Sequence, residues 1–459
     1  MRVSLSDHYS YKNIFRMTIS PVLMMIFTSL YSVVDGYFVS NYAGLDAYAG
    51  VNLIFPVIMI VGGIGFMFGT GGSALSSKLL GEGNRDKANK VFTMMLLIVL
   101  IFGVTIGFFI FLLIKPIATA LGTITNGTTQ GMVDEAIKYG RLLALGQVFF
   151  MTQNLFHSYF IVDEKPKLGF FYTILAGLTN IVLDFLFIKV LQLGIIGAAL
   201  ATILGYIVGS VFPLIHFIRN KEGNIMLAKT KLEARPILQS AFNGSSEFVN
   251  SISSSIVGMV FNIQLLRFFG QRGVSAYGTL MYVSFMFVAI FIGYSIGMGP
   301  VVGYNYGANN KKELSNVLRK SLIIISIASI AMLIIGELLG PVFARLYIKE
   351  DQELLDLAIH AFRIYSIHFL FCGLSIYIAS FFTALNNGLI SAIVSFLRTL
   401  VLHIGFVLVL PIFMGGEGIW WSIIASELLT SIIAVLFLVG KRNKYGYFDS
   451  FKKSEAEVL

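Results

Sequence analysis

The sequence predicts an all-α membrane protein: twelve transmembrane helices in two pseudo-symmetric six-helix lobes. Three observations carry this. Hydrophobic residues make up 56% of the chain and charged residues 12%, against roughly 25% charged in a soluble domain. Apolar runs of about 20 residues, each long enough to cross a bilayer as a helix, recur along the whole length. The second half of the chain also repeats sequence features of the first.

The expected spans are 14–38, 50–73, 91–114, 136–161, 167–188, 195–218, 236–266, 275–299, 317–339, 356–382, 389–411 and 416–440. They are continuously apolar rather than alternating, which favours helices over a barrel. The first run is too long for a cleavable signal peptide and lacks a small-residue cleavage site. Within it, Pro21 removes a backbone donor and predicts a bend or irregular turn near residues 15–25. Cys372 is the single cysteine, so neither an intramolecular disulfide nor a thiolate cage is expected. His157, His360, His368 and His403 fall on different spans without paired ligand spacing.

The net charge is +9, and its distribution argues against nucleic acid. An even number of spans puts both termini on one side. The termini and the loops near 74–90, 162–167, 219–235 and 303–320 hold about 23 Lys and Arg, and the opposite side about 8. This bias predicts that both termini are cytoplasmic. The basic segment "KRNKYGYFDSFKK" (441–453) reads as a cytoplasmic stop in contact with anionic lipid.

The internal repeat sets the organisation. "LGEGNRDKANKV" (80–91) after span 2 matches "YGANNKKELSNV" (306–317) after span 8. Gly81 aligns with Gly307, Asn84 with Asn310, Arg85 with Lys311 and Val91 with Val317. "LGIIGAALATILG" (193–205) likewise matches "GGEGIWWSIIASE" (415–427). The predicted units are an N-lobe (1–218), a linker (219–235), a C-lobe (236–440) and a tail (441–459). Six spans per repeat give both copies the same orientation, an arrangement suited to alternating access. No Walker lysine motif and no room for an ATP-binding domain are evident, so energy is expected from an ion gradient.

Five stretches carry a family resemblance: "SLYSVVDGYFVSNYAG" in span 1, "GTGGSALSSKLLGEGNRDKAN" closing span 2, "NIVLDFLFI" in span 5, "LGIIGAALAT" in span 6 and "NGSSEFVNSISSSIVGMVFN" in span 7. Together they resemble the multidrug and toxic compound extrusion (MATE) family, closer to its DinF-like and MepA-like branches than to the NorM branch. The resemblance implies a secondary antiporter, not an enzyme. It implies export of organic, often cationic or amphiphilic small molecules in exchange for Na⁺ or H⁺. It implies no cofactor beyond the coupling ion. A monomer in the lipid bilayer is expected. The alternative is a flippase for lipid-linked or lipid-like substrates of the same superfamily.

Helix rise places the polar candidates. Asp35 lies about 30 Å along span 1 and Asp184 about 25 Å along span 5, with Asn180 one turn from Asp184. Thr202 lies about 10 Å below the outer surface on span 6, and Tyr139 in the first turn of span 4. Such an oxygen-rich layer suits Na⁺ or a tuned carboxyl. The resemblance carries the family's N-lobe cation site over onto Asp35, Tyr139, Asn180, Asp184 and Thr202, with either a proton as the coupling ion or Na⁺ at Asp35, Asn180, Asp184 and Thr202. The plainer alternatives are a wet helix end for Asp35, a partner of Asn180 for Asp184, an interfacial anchor for Tyr139 and a packing hydroxyl for Thr202. In the C-lobe, Glu247 is expected near mid-membrane and is the substrate-binding candidate. NorM-type relatives add an Asp in span 10, which this sequence lacks. A pair with Arg398 is the structural alternative for Glu247, and Glu427 lies at a depth where Arg398 could pair with it instead.

Overall fold

The computed structural model describes residues 3–124, 128–348 and 351–448. The described residues are overwhelmingly helical and contain no strand. The first six helices are α1 (Tyr11–Phe38), α2 (Leu45–Gly81), α3 (Arg85–Ile124), α4 (Gln130–Val162), α5 (Pro166–Asp184) and α6 (Gly194–Arg219). The second half comprises α7 (Ala234–Asn243), α8 (Ser245–Gly307), α9 (Lys311–Tyr347), α10 (Gln352–Ser366), α11 (Phe369–Ala384), α12 (Gly388–Phe396), α13 (Leu402–Met414), α14 (Glu417–Gly440) and the short α15 (Arg442–Tyr445).

These helices resolve into the twelve spans. α8 is two spans joined at Gly270, whose φ of 62° and ψ of −152° break the helix at a residue without a Cβ. α10 and α11 form one span bent by 48°. α12 and α13 form another, joined through a π-helical turn at Leu397–Val401. Span 7 departs from expectation. Its predicted start is a separate helix, α7, which ends at Gly244. Glu247 therefore sits in the first turn of α8 rather than three turns into a continuous helix. Pro21 lies inside α1, which is assigned as one helix from Tyr11 to Phe38, and a π-helical turn follows at Val39–Ala43. Gly293 of α8 packs on the Pro21 turn, where a Cβ on it would lie 2.5 Å from Val22 Cα.

The repeat is visible in the backbone. Glu164 and Asn386, equivalent when span 6 is aligned with span 12, both adopt positive φ, 57° and 56°. Gly83 and Asn309, equivalent in the loops after spans 2 and 8, do so at 77° and 52°. Among the described residues two large hydrophobic cores form, beside two small clusters. One gathers residues between Val39 and Ile225. The other gathers the second half, together with Leu5, Tyr9, Ile14 and Met17 from the start of the chain.

The lobes meet on the side carrying the basic loops and the first described residues of the chain, among them Ser4 and Tyr9. The buried residues of α1 all fall between Ile14 and Met25. α2 buries about one residue per turn between Ala47 and Ile58, then every residue from Gly71 through Ser77. The lobes therefore pack tightly on the basic side and diverge on the far side. A strap crosses the closed side. Ser4 Oγ and the Leu5 amide donate to Glu164 of the N-lobe at 2.7 and 2.8 Å. The Tyr9 amide donates to Glu313 of α9 at 2.8 Å, and Lys320 Nζ donates to the Tyr9 carbonyl at 2.8 Å. The linker is fixed to the N-lobe: the Met226 amide donates to Asn89 at 2.9 Å and the Ala228 amide to Thr93 at 3.0 Å.

Candidate functional site

Five N-lobe side chains converge in the far half of the membrane. α1 ends in a π-helical turn just after Asp35, and α5 in another just after Asp184. Asn180 and Asp184 are buried on one face of α5, at 4% and 0% exposure. α6 brings Thr202 against them because Gly205 lets the two helices touch: a Cβ there would lie 3.2 Å from both the Ala176 carbonyl oxygen and Asn180 Cβ. Tyr139 enters from α4, buried beside Thr202.

The Asp35 and Asp184 carboxyls adjoin, yet no hydrogen bond of good geometry links them. Six buried atoms of this cluster lack a hydrogen-bond partner: Asp35 Oδ1, both side-chain heteroatoms of Asn180, both oxygens of Asp184 and Thr202 Oγ1. Buried polar groups are nearly always satisfied, and an unsatisfied one costs about 1–3 kcal/mol. Four of these six atoms are carboxylate or hydroxyl oxygens, the hard donors that suit a small cation or a shared proton. The sequence reading missed two tyrosines. Tyr31, one turn before Asp35, and Tyr206, one turn beyond Thr202, both lie close to Asp35. Their i±4 spacing from the named residues was the available signal.

A second site lies between the lobes. Glu247, Asn250 and Ser246 of α8 line a cavity with Thr70 and Ser73 of α2, Ser380 of α11 and Arg398. Glu247 and Arg398 share this cavity without a direct ion pair. Arg398 Nε instead donates to Glu427 Oε1 at 3.0 Å, as the similar depth of the two residues suggested. Arg363 is exposed on α10. The histidines are scattered: His157 meets Thr173 at 3.3 Å, His360 meets Glu417 at 2.9 Å, and His368 meets the Tyr365 carbonyl at 2.6 Å.

A buried carboxyl pair in one lobe and a polar cavity between two lobes suit ion-coupled transport. The MatE family model matches residues 21–186 and 248–409. The chain belongs to the MatE family. It is therefore a multi-pass transporter of that family, not an enzyme. Among relatives, the multidrug export protein MepA of Staphylococcus saprophyticus is 24% identical over 464 residues, covering 98% of this chain and 96% of that protein. MepA of Staphylococcus aureus strain MSSA476 is 24% identical over 440 residues, with 92% of each chain covered. Among solved structures, a multidrug resistance MATE family transporter of the MOP superfamily in its outward-facing conformation superposes with a TM-score of 0.87 at 24% identity, covering 95% of this chain and 96% of that one. A MATE protein in complex with MaL6 gives 0.88 at 23% identity, covering 96% and 98%. A Pyrococcus furiosus MOP superfamily transporter, described as having a binding pocket of reverse polarity, gives 0.86 at 24% identity, covering 94% and 95%.

Proposed function

We propose that this MatE protein is an antiporter that exports organic, often cationic or amphiphilic compounds and is driven by inward movement of Na⁺ or H⁺. The observation that carries the reading is the cluster of unpartnered buried oxygens at Asp35, Asn180, Asp184 and Thr202. Two adjoining carboxyls in a poorly solvated site repel when both are ionised. One proton or one Na⁺ between them relieves that repulsion, with Asn180, Thr202 and Tyr139 supplying neutral oxygens.

Loading this site would change the relative stability of the two access states, because an ion can shift a conformational equilibrium only by its difference in affinity for them. The far-side divergence of the lobes supports an outward-facing state, and the MepA relatives support multidrug efflux. In this reading the basic side is the cytoplasm of a bacterial cell, both termini lie there, the two lobes rock about their shared interface, and the protein works as a monomer. Glu247 would attract the positive charge of a substrate in the inter-lobe cavity.

The test is transport of a cationic dye in proteoliposomes under separately imposed Na⁺ and H⁺ gradients. Acceleration by one gradient, lost in Asp184→Asn, is the expected result. Equal dye movement with and without either gradient would overturn the reading.

A further inference from the structure

A line of buried polar groups runs through the N-lobe between α4, α5 and α6, apart from the residues that line the inter-lobe cavity. On α4, Gln153 and His157 are one turn apart on the face that also carries Tyr139. On α5, Thr173 lies two turns from Asn180 on the face that carries Asp184. α6 passes them with glycines. Gly205 sits against Asn180, and Gly209, one turn on, sits against Gln153, where a Cβ would lie 2.6 Å from Gln153 Cδ. Asn180 and Gln153 therefore adjoin successive turns of α6, about 6 Å apart in level.

These groups are polar without being satisfied. Both side-chain heteroatoms of Asn180, Gln153 Oε1 and His157 Nδ1 have no hydrogen-bond partner within the protein. The His157 ring is set in one sense. Its Nε2 lies 3.3 Å from Thr173 Oγ1, and that hydroxyl donates to the Gly169 carbonyl at 3.0 Å. Nε2 is therefore the nitrogen that carries the proton, and Nδ1 is left as an unused acceptor. Nearer the basic side, Phe160 fills the space between α5 and α6. A Cβ on Gly169 would lie 3.1 Å from Phe160 Cβ, and the ring is 5.6 Å from that of His216. Beyond it, His216 lies 3.9 Å from Asp163, which pairs with Lys165 at 2.8 Å. Buried polar atoms that only pack helices together normally satisfy one another. Unpaired ones at one-turn spacing suit bridging water.

We propose that the coupling proton leaves the Asp35–Asp184 pair through the interior of the N-lobe, with His157 as its relay. This rests on the coupling reading above and adds a route to it. Water held by Asn180 and Gln153 carries the proton from the carboxyl pair to His157 Nδ1. The ring then holds a proton on each nitrogen and a positive charge. Loss of the Nε2 proton towards His216 and Asp163 restores a neutral ring, so one proton enters and one leaves. Phe160 is the apolar gap in the line and prevents a leak while the carboxyl pair is open to the far side. Proton and exported compound then use different paths, one inside the N-lobe and one between the lobes.

The test uses the full-length protein in proteoliposomes loaded with the pH indicator pyranine, with ethidium as the exported cation. His157→Phe keeps the bulk of the ring and removes both nitrogens. Ethidium export driven by an H⁺ gradient should fall about a hundredfold, the lower end of what a positioned proton-transfer group contributes, while exchange without a gradient stays within about twofold. Phe160→Ala opens the gap and should let protons through without ethidium, read as a pyranine signal. Phe160→Ala/His157→Phe should abolish that leak. Native-rate driven export in His157→Phe would overturn the proposal, as would an equal loss of driven and gradient-free transport. A Phe160→Ala protein that exchanges ethidium but does not leak, or a leak that persists in the double variant, would also overturn it. Native export driven by Na⁺ and indifferent to H⁺ would overturn the route and leave the coupling reading standing. Native export indifferent to both gradients would overturn both.

Discussion

Gly81 and Gly307 occupy equivalent positions in the two halves of the chain, and each is pressed against the backbone of the other's helix. A Cβ on Gly81 would lie 2.0 Å from the Tyr304 carbonyl oxygen, and one on Gly307 would lie 2.0 Å from that of Lys78. The contact is reciprocal, as a pseudo-twofold relation requires, and backbone carbonyls cannot step aside as a flexible side chain can. Gly81→Ala or Gly307→Ala should therefore wedge α2 and α8 apart on the basic side. Overpacking of this kind costs about 1–3 kcal/mol, enough to shift a two-state equilibrium about fivefold or more. Spin labels on the ends of α3 and α9 nearest the basic loops should report a new, longer distance. An unchanged distribution in both variants would show that the seal lies elsewhere.

The strap formed by residues 4–9 joins the lobes through Glu164 and Glu313. Opening of the basic side must break at least one of these attachments. Hydrogen bonds to charged groups contribute about 1.5–3 kcal/mol each. Glu313→Ala leaves the Tyr9 amide and His8 without their acceptor. It should raise the population open on the basic side, read as faster labelling of a cysteine placed at Ser77 in a protein whose Cys372 is replaced. No change in labelling rate would mean that the strap merely covers the interface.

Asp35→Asn and Asp184→Asn should each abolish gradient-driven export while the protein is still made and inserted. A neutral amide cannot hold the proton or cation that links the gradient to the cycle. Downhill exchange of bound dye should survive, because the substituted residues lie outside the inter-lobe cavity. Gradient-driven transport at the parent rate in both variants would rule out this cluster as the coupling site.

The span pattern and the repeat were readable because membrane-crossing helices leave long apolar runs and because duplicated backbone leaves paired loop motifs. Asp35, Asn180, Asp184, Thr202 and Tyr139 stood out as polar residues at similar depth, and helix rise was enough to bring them together. Span 7 was misread because the break at Gly244 is made by packing. Gly244 and the serines after it mark a weak point in the helix, but the close approach that completes the break, with a Cβ there lying 1.9 Å from the Met67 carbonyl oxygen, is a tertiary contact. The strap was invisible because Ser4, Glu164 and Glu313 are ordinary surface residue types whose meeting depends on the two lobes being closed on one side.

Glu247 provides the last prediction. It begins α8 just beyond Gly244, half-buried, with Asn250 one turn on and the inter-lobe cavity in front of it. Its distance from Arg398 leaves its charge uncancelled by a direct pair, while Arg398 is already committed to Glu427. An anion so placed attracts a cationic group entering the cavity, and the attraction is stronger there than in water because the walls are largely protein. Glu247→Gln keeps the shape and hydrogen-bonding capacity and removes the charge. It should weaken binding and export of a permanently cationic dye by about tenfold, the size expected for one charge-assisted contact, and change those of a neutral compound of similar size by less than about twofold. Binding of the coupling ion should be unaltered, because Asp35 and Asp184 are not among the residues around this cavity. Parallel transport measurements with the two compounds separate the outcomes: an equal loss for both would move Glu247 from substrate recognition to coupling or folding, and loss of the cation alone would keep it in the cavity's recognition surface.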